Sequence, residues 1–233
     1  MTTTPGVLRQ YCLLTAQGLR AEMADLERLV SPILFALTLL LLFAFATGDV
    51  NDPAMRIRVY LAETFVTALF ALQVSFSRLF EPDRQDHVFD LMRTYPISHT
   101  SWFLSKYTLV FLMGATTLGP TLLFGAFLHQ SKDQPLFSWV VCGIAFLALA
   151  GLAALGVLLS AMTLKANGRQ ILYPLLYFPL TTPVLLAAVQ SSLLYLQKGF
   201  AADVKGWLGL LLAFNAIYFT LGILLFTELV DES

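Results

Sequence analysis

The chain has 233 residues, of which 58% are hydrophobic and only 12% charged, with a formal net charge of -1. A soluble fold of that length needs more charge on its surface, so lipid must cover much of the molecule. The absence of a basic excess also excludes nucleic acid, whose phosphates are met by clustered Lys and Arg.

What remains is an all-α polytopic membrane protein, read here as a single transmembrane domain over 1–233. Residues 1–28 hold Arg9, Arg20, Glu22, Asp25, Glu27 and Arg28 in place of a short apolar core, so no cleavable signal peptide is expected. Between Val7 and Leu26, the apolar Leu8, Tyr11, Cys12, Leu19, Met23 and Leu26 recur at helical spacing opposite Arg9, Gln10, Gln17, Arg20 and Glu27. The pattern predicts an amphipathic helix, either interfacial or an ordinary soluble lead-in. Its direct run into a span favours the interface.

A spanning helix takes roughly 20 apolar residues. Six stretches qualify, at about 29–48, 59–78, 106–129, 137–163, 171–195 and 206–228. Ser31-Pro32 suits the start of the first, where a missing N–H costs little. The second is the weakest, with Glu63 a turn inside its start and Arg78 closing it. Glu63 reads as an interfacial residue in preference to the lining of a polar path. Arg9, Arg20, Arg28, Arg78, Arg84, Arg93, Lys106, Lys165 and Arg169 fall on one side and Arg56, Arg58, Lys132, Lys198 and Lys205 on the other. The positive-inside bias then places both termini in the cytoplasm.

The loop 79–105, between the second and third spans, is the substantial polar segment. Within it Val88, Leu91, Met92 and Tyr95 fall at i, i+3, i+4 and i+7. Pro82 can open a helix there, Asp83 and Asp86 favour its N-terminal end, and Pro96 ends it. A short amphipathic cytoplasmic helix is expected, which either rests on lipid or sits in a groove of a separate ATPase.

In the third span Gly114, Gly119 and Pro120 read as packing or kink residues, because no Lys or Ser/Thr completes a phosphate loop. The fourth presents Gly143, Ala150, Gly151, Ala154, Gly156 and Ser160, a small-residue packing face for another helix or for a second copy in a homodimer. Pro174, Pro179 and Pro183, with Tyr173 and Tyr177, predict a kinked or interrupted fifth span. Gln73 and Asn215 are expected to make interhelical hydrogen bonds. Trp102, Trp139 and Trp207 stand at span ends as interface anchors.

The chemistry-bearing residues are few. His87, His99 and His129 are not at metal-ligand spacing. His129 reads as a polar end residue in preference to an axial haem ligand. Cys12 and Cys142 lie at different depths, which argues against a disulfide. With no nucleotide site and no catalytic constellation, the chain is expected not to be an enzyme. Any ATP hydrolysis belongs to another chain.

Leu26-Glu27 through Pro32, Arg78-Leu79-Phe80-Glu81 with Asp83 and Asp86, then Leu91, Pro96-Ile97 and Leu104-Ser105-Lys106 follow in an order that resembles the CcmB family. So do the Gly- and Ala-rich fourth span and Leu172-Tyr173-Pro174-Leu175-Leu176-Tyr177-Phe178-Pro179 to Pro183-Val184. After Asp86 the family has Gly, a small residue and an acidic one, where this chain has His87-Val88-Phe89-Asp90. The resemblance, to haem exporter protein B, covers nearly the whole chain. It implies an ABC-2-like permease subunit of the cytochrome c maturation transporter in the bacterial inner membrane. The implied partners are an ATPase subunit (CcmA-like), a haem-handling membrane subunit (CcmC-like), a small membrane subunit (CcmD-like) and the haem chaperone (CcmE-like), released by ATP in its haem-loaded form. ATP and haem would both be held by those partners and not by this chain. The residues expected to meet the ATPase are Glu81, Asp83, Asp86, Val88, Asp90, Leu91, Met92, Tyr95 and Pro96. The alternatives are a self-standing channel or carrier, an ABC-2 permease for another substrate, and a scaffold for a membrane assembly.

Overall fold

The structure, a computed structural model, describes residues 6–48, 50–77, 79, 98–130, 136–163 and 169–231. These residues form α1 (Val7–Ala24), α2 (Leu26–Thr47), α3 (Pro53–Ser77), α4 (His99–Leu128), α5 (Trp139–Met162), α6 (Arg169–Lys198) and α7 (Ala202–Asp231). No strand occurs among them. The last six helices are each long and apolar enough to cross a membrane.

Several helices reach beyond the charge-free stretches because capping, not hydropathy, sets their ends. Asp52 opens α3, accepting from the backbone N–H of Ala54 (3.2 Å) and Met55 (3.3 Å), with Pro53 as first helical residue. Helix α4 starts at His99, so 99–105, read from sequence as the end of the polar loop, is helical. The polar residues there suggested a loop, yet Ser101 and Ser105 are buried with Trp102 and Phe103. Ser101 Oγ donates to the Val7 carbonyl at 3.0 Å, which satisfies it within the bundle.

Helix α5 is the hub, apolar around its circumference and packed against α3, α4, α6 and α7. Its small residues let neighbours close in. Gly151 lies under Asn215 of α7, and a Cβ on Gly156 would come within 2.6 Å of the Phe76 ring of α3. Gly151 and Gly156, on different sides of α5, are therefore both covered within this chain, whereas nothing lies within 4 Å of the Cβ position at Gly143. Ser160 Oγ adds a hydrogen bond to the Phe76 carbonyl at 2.8 Å. Of the six spans, α2 and α7 bury the least and leave most of their apolar surface to the outside.

Helix α6 runs uninterrupted through Pro174, Pro179 and Pro183. Between the last two prolines the Leu180 carbonyl accepts from Tyr218 OH at 2.6 Å, so α7 supplies a polar contact where the α6 ladder is thinned. Asn215 donates to Leu211 of its own helix at 2.8 Å and not across helices, because its amide is laid over Gly151. Trp102 is not an interface anchor either. It is 2% exposed and meets Phe226 edge-on with ring centres 5.6 Å apart, whereas Trp139 is 82% exposed.

Helix α1 forms as the periodicity predicts but docks through a mixed face. Gln10 is buried and accepts from the Ser98 N–H at 3.0 Å, and Tyr11 OH lies 2.9 Å from Thr108 Oγ1. Gly18 lets Leu109 of α4 approach. Leu8, Leu13 and Met23 stay exposed. At the bend into α2, Arg28 Nε reaches Asp25 Oδ2 at 2.8 Å and its guanidinium lies 3.6 Å from Glu22.

Candidate functional site

The expected partner-binding residues Glu81, Asp83, Asp86, Val88, Asp90, Leu91, Met92, Tyr95 and Pro96 lie outside the described residues. Their two points of attachment are described, Leu79 buried and Ser98 half-buried. Leu79 is 8% exposed, and its N–H donates to the Phe76 carbonyl at 3.2 Å, the acceptor that also takes Ser160. At the other end Ser98 is bonded to Gln10, and Trp102 and Phe103 wedge against Phe226. A displacement applied to residues 80–97 would therefore act directly on α3 and α4, and through them on α1, α5 and α7.

A cleft opens beside this attachment, at the elbow of α1 and α2. Its walls include Arg28, Ser31, Pro32, Ser75, Phe76 and Met113. Arg28 is already faced by Asp25 and Glu22, so the cleft offers no unbalanced cation to an anion.

At the opposite end of α3 and α4 the structure corrects the reading of Glu63 and gives His129, at the C-cap of α4 as expected, a partner. Glu63 is not interfacial, since its side chain is 7% exposed, and His129 Nε2 lies 3.0 Å from Glu63 Oε2 with an imidazole equally buried. Neither Glu63 oxygen has an in-line hydrogen-bond donor, so the imidazole is its close electrostatic partner. His129 Nδ1 is 3.1 Å from the Gly125 carbonyl, and a carbonyl only accepts, so Nδ1 carries a proton. Both ring nitrogens are thus engaged. An iron at His129 would have to displace one of these partners. Tyr60 closes the side, its ring centre 6.2 Å from the imidazole. A polar pocket lined by Asn51, Arg56, His129 and Gln130 opens beyond.

The pair escaped sequence reasoning because its members are far apart in the chain and each sits near a span end, where a lone polar residue is ordinary. The available signal was Glu63 and His129 at matching depths of two consecutive antiparallel helices. Among the described residues no group of three His, Cys, Asp or Glu is placed to hold a metal ion. Cys12 and Cys142 are free thiols.

Six helices long and apolar enough to cross a membrane, four of them packed against α5, define a multi-pass membrane protein. The sequence model of the family described as CcmB protein matches residues 9–230, nearly the whole chain, and the chain belongs to that family. It is a permease subunit of the ABC transporter class, in cytochrome c-type biogenesis. No curated protein compared with it matches.

Proposed function

We propose that this chain is the membrane half of a haem-related ABC machine that receives ATP-driven motion through residues 80–97 and passes it to α3 and α4. The observation that carries the reading is the anchoring of both ends of that segment, Leu79 and Ser98, in the packed bundle of a CcmB-family chain. Hydrogen bonds from Leu79 to Phe76 and from Ser98 to Gln10 support the reading, because they tie the segment's ends to the bundle. On this reading the face with Val88, Leu91, Met92 and Tyr95 enters a groove of a CcmA-like ATPase, flanked by Glu81, Asp83, Asp86, Asp90 and Pro96. The 80–97 end then faces the cytoplasm with both termini, in a bacterial inner membrane.

The CcmC-like and CcmD-like subunits and the CcmE-like chaperone complete the assembly, and ATP drives release of the haem-loaded chaperone. Haem and ATP stay on those partners. Helix α1 lies at the cytoplasmic boundary, its exposed side carrying Leu8, Leu13 and Met23 together with Arg9 and Arg20, whose long side chains reach the headgroups.

The test is affinity purification of the tagged chain from mild detergent, intact and with Leu91→Asp plus Met92→Asp. The intact chain is expected to bring down an ATPase and cytochrome c maturation subunits. The variant, still inserted, should lose the ATPase. Equal recovery from both would remove this segment as the coupling element. The buried Glu63–His129 pair favours a second reading, a self-standing carrier, which predicts transport by the purified chain without ATP.

A further inference from the structure

We propose that Glu63 and His129 form a binding site for a single proton, and that this proton latches the ends of α3 and α4 remote from the 80–97 segment. The inference needs only the α3–α4 contact and stands apart from the ATPase reading. His129 Nδ1–H is committed to the Gly125 carbonyl at 3.1 Å, which leaves Nε2 facing the carboxylate at 3.0 Å. With no proton on the pair, a bare carboxylate without an in-line donor lies 3.0 Å from an electron-rich ring nitrogen in a buried site. One proton, making the imidazole cationic or the carboxyl neutral, removes that repulsion. A second would bury a net positive charge.

The surroundings leave little else to balance the pair. Thr64 and Thr67, on the same α3 face, are buried with hydroxyls that have no hydrogen-bond partner. Arg56 lies further toward the helix start with its Nε committed to the Val50 carbonyl at 3.0 Å. Asp52 is turned to the first amides of α3. Tyr60 stands beside the imidazole, and Cys142 of α5 is within its electrostatic reach. Helix α6 brings Tyr195 and Lys198 to this end of the bundle, and the last turn of α2, Ala44–Thr47, carries no titratable group. The pocket of Asn51, Arg56 and Gln130 meets His129 and gives the proton a path to water. Close packing at this end means that separation exposes what lies beneath: a Cβ on Gly125 would collide with Thr64 and touch Tyr60.

Cys142 provides a native reporter. It is half-buried beside Tyr60, and Cys12 on α1 is exposed and serves as the internal reference. The full chain in lipid nanodiscs is treated with a small maleimide over a pH series, and the ratio of Cys142 to Cys12 labelling is read by mass spectrometry. In the unaltered chain the ratio is expected to rise as the shared proton is lost, by about tenfold, the change in open population that about 1.4 kcal/mol produces. Glu63→Gln supplies an amide N–H in place of the proton and should stay low at every pH. His129→Ala should be high at every pH. If the unaltered chain and Glu63→Gln run together across the series, or if His129→Ala labels as slowly as the unaltered chain, the proton latch is overturned. Should His129→Ala fail to fold, the first comparison decides alone.

Discussion

Replacing His129 with leucine is expected to destabilise the bundle by about 3–5 kcal/mol, and replacing Glu63 and His129 together by leucines much less. The asymmetry comes from burial. Each side chain is 7% exposed, and neither Glu63 oxygen has an in-line donor elsewhere, so the single change strands a carboxylate in an apolar site. The double change removes both charges and fills the space with hydrocarbon, which a buried pair often tolerates at little cost. Thermal unfolding of the four species in one detergent gives a double-mutant cycle. A large coupling between the positions is predicted, and additive losses would mean that the two do not hold each other.

The second large effect is expected at Gly156. A side chain there meets the Phe76 ring at 2.6 Å, and that ring cannot swing aside. Phe76 is 1% exposed, stands edge-on to Tyr177 with centres 6.3 Å apart, and has its carbonyl held by Ser160. Overpacking of this kind costs about 1–3 kcal/mol for added methylenes, and Gly156→Leu should reach or pass the upper figure by forcing α3 off α5. Gly143→Leu, on the open side of the same helix, is the control and should leave the melting temperature nearly unchanged. A similar loss from both would place the damage in helix insertion and not in packing.

These two sites also mark where the sequence was and was not informative. Six apolar runs were legible because hydropathy measures the lipid-facing requirement directly, and all six appear as helices long enough to span. Helix ends were less legible. At Asp52-Pro53 and Ser98-His99, capping and polar contacts inside the bundle extend the helix past its hydrophobic stretch. Gly156 was readable as a packing residue, but its partner Phe76 was not, since small-residue spacing names a face and not what covers it. Trp102 and Glu63 were misread for one reason. Position near a span end suggests an interface, and only the fold reveals that aromatic side chains of α7 cover one and His129 the other. Tyr177 and Tyr173, expected beside a kinked or interrupted helix, stack with ring centres 5.5 Å apart inside one that is not interrupted.

The partner-binding segment is the part for which sequence pattern and family membership carry the account. On the proposed function, its attachments at Leu79 and Ser98 make α3 and α4 the first elements to respond, and the Glu63–His129 pair lies between those same helices at their far ends. Under both proposals the hairpin is held at one end by a proton and driven at the other by a partner.

The most direct test of the driven end places a photoreactive amino acid at position 91, then at 92, in cells that assemble the complex. Irradiation is predicted to join this chain to an ATPase subunit at one or both positions, with the adduct changing in yield when ATP is depleted. Adducts to lipid alone, at both positions and regardless of ATP, would contradict the account and leave the segment as a helix resting on the membrane.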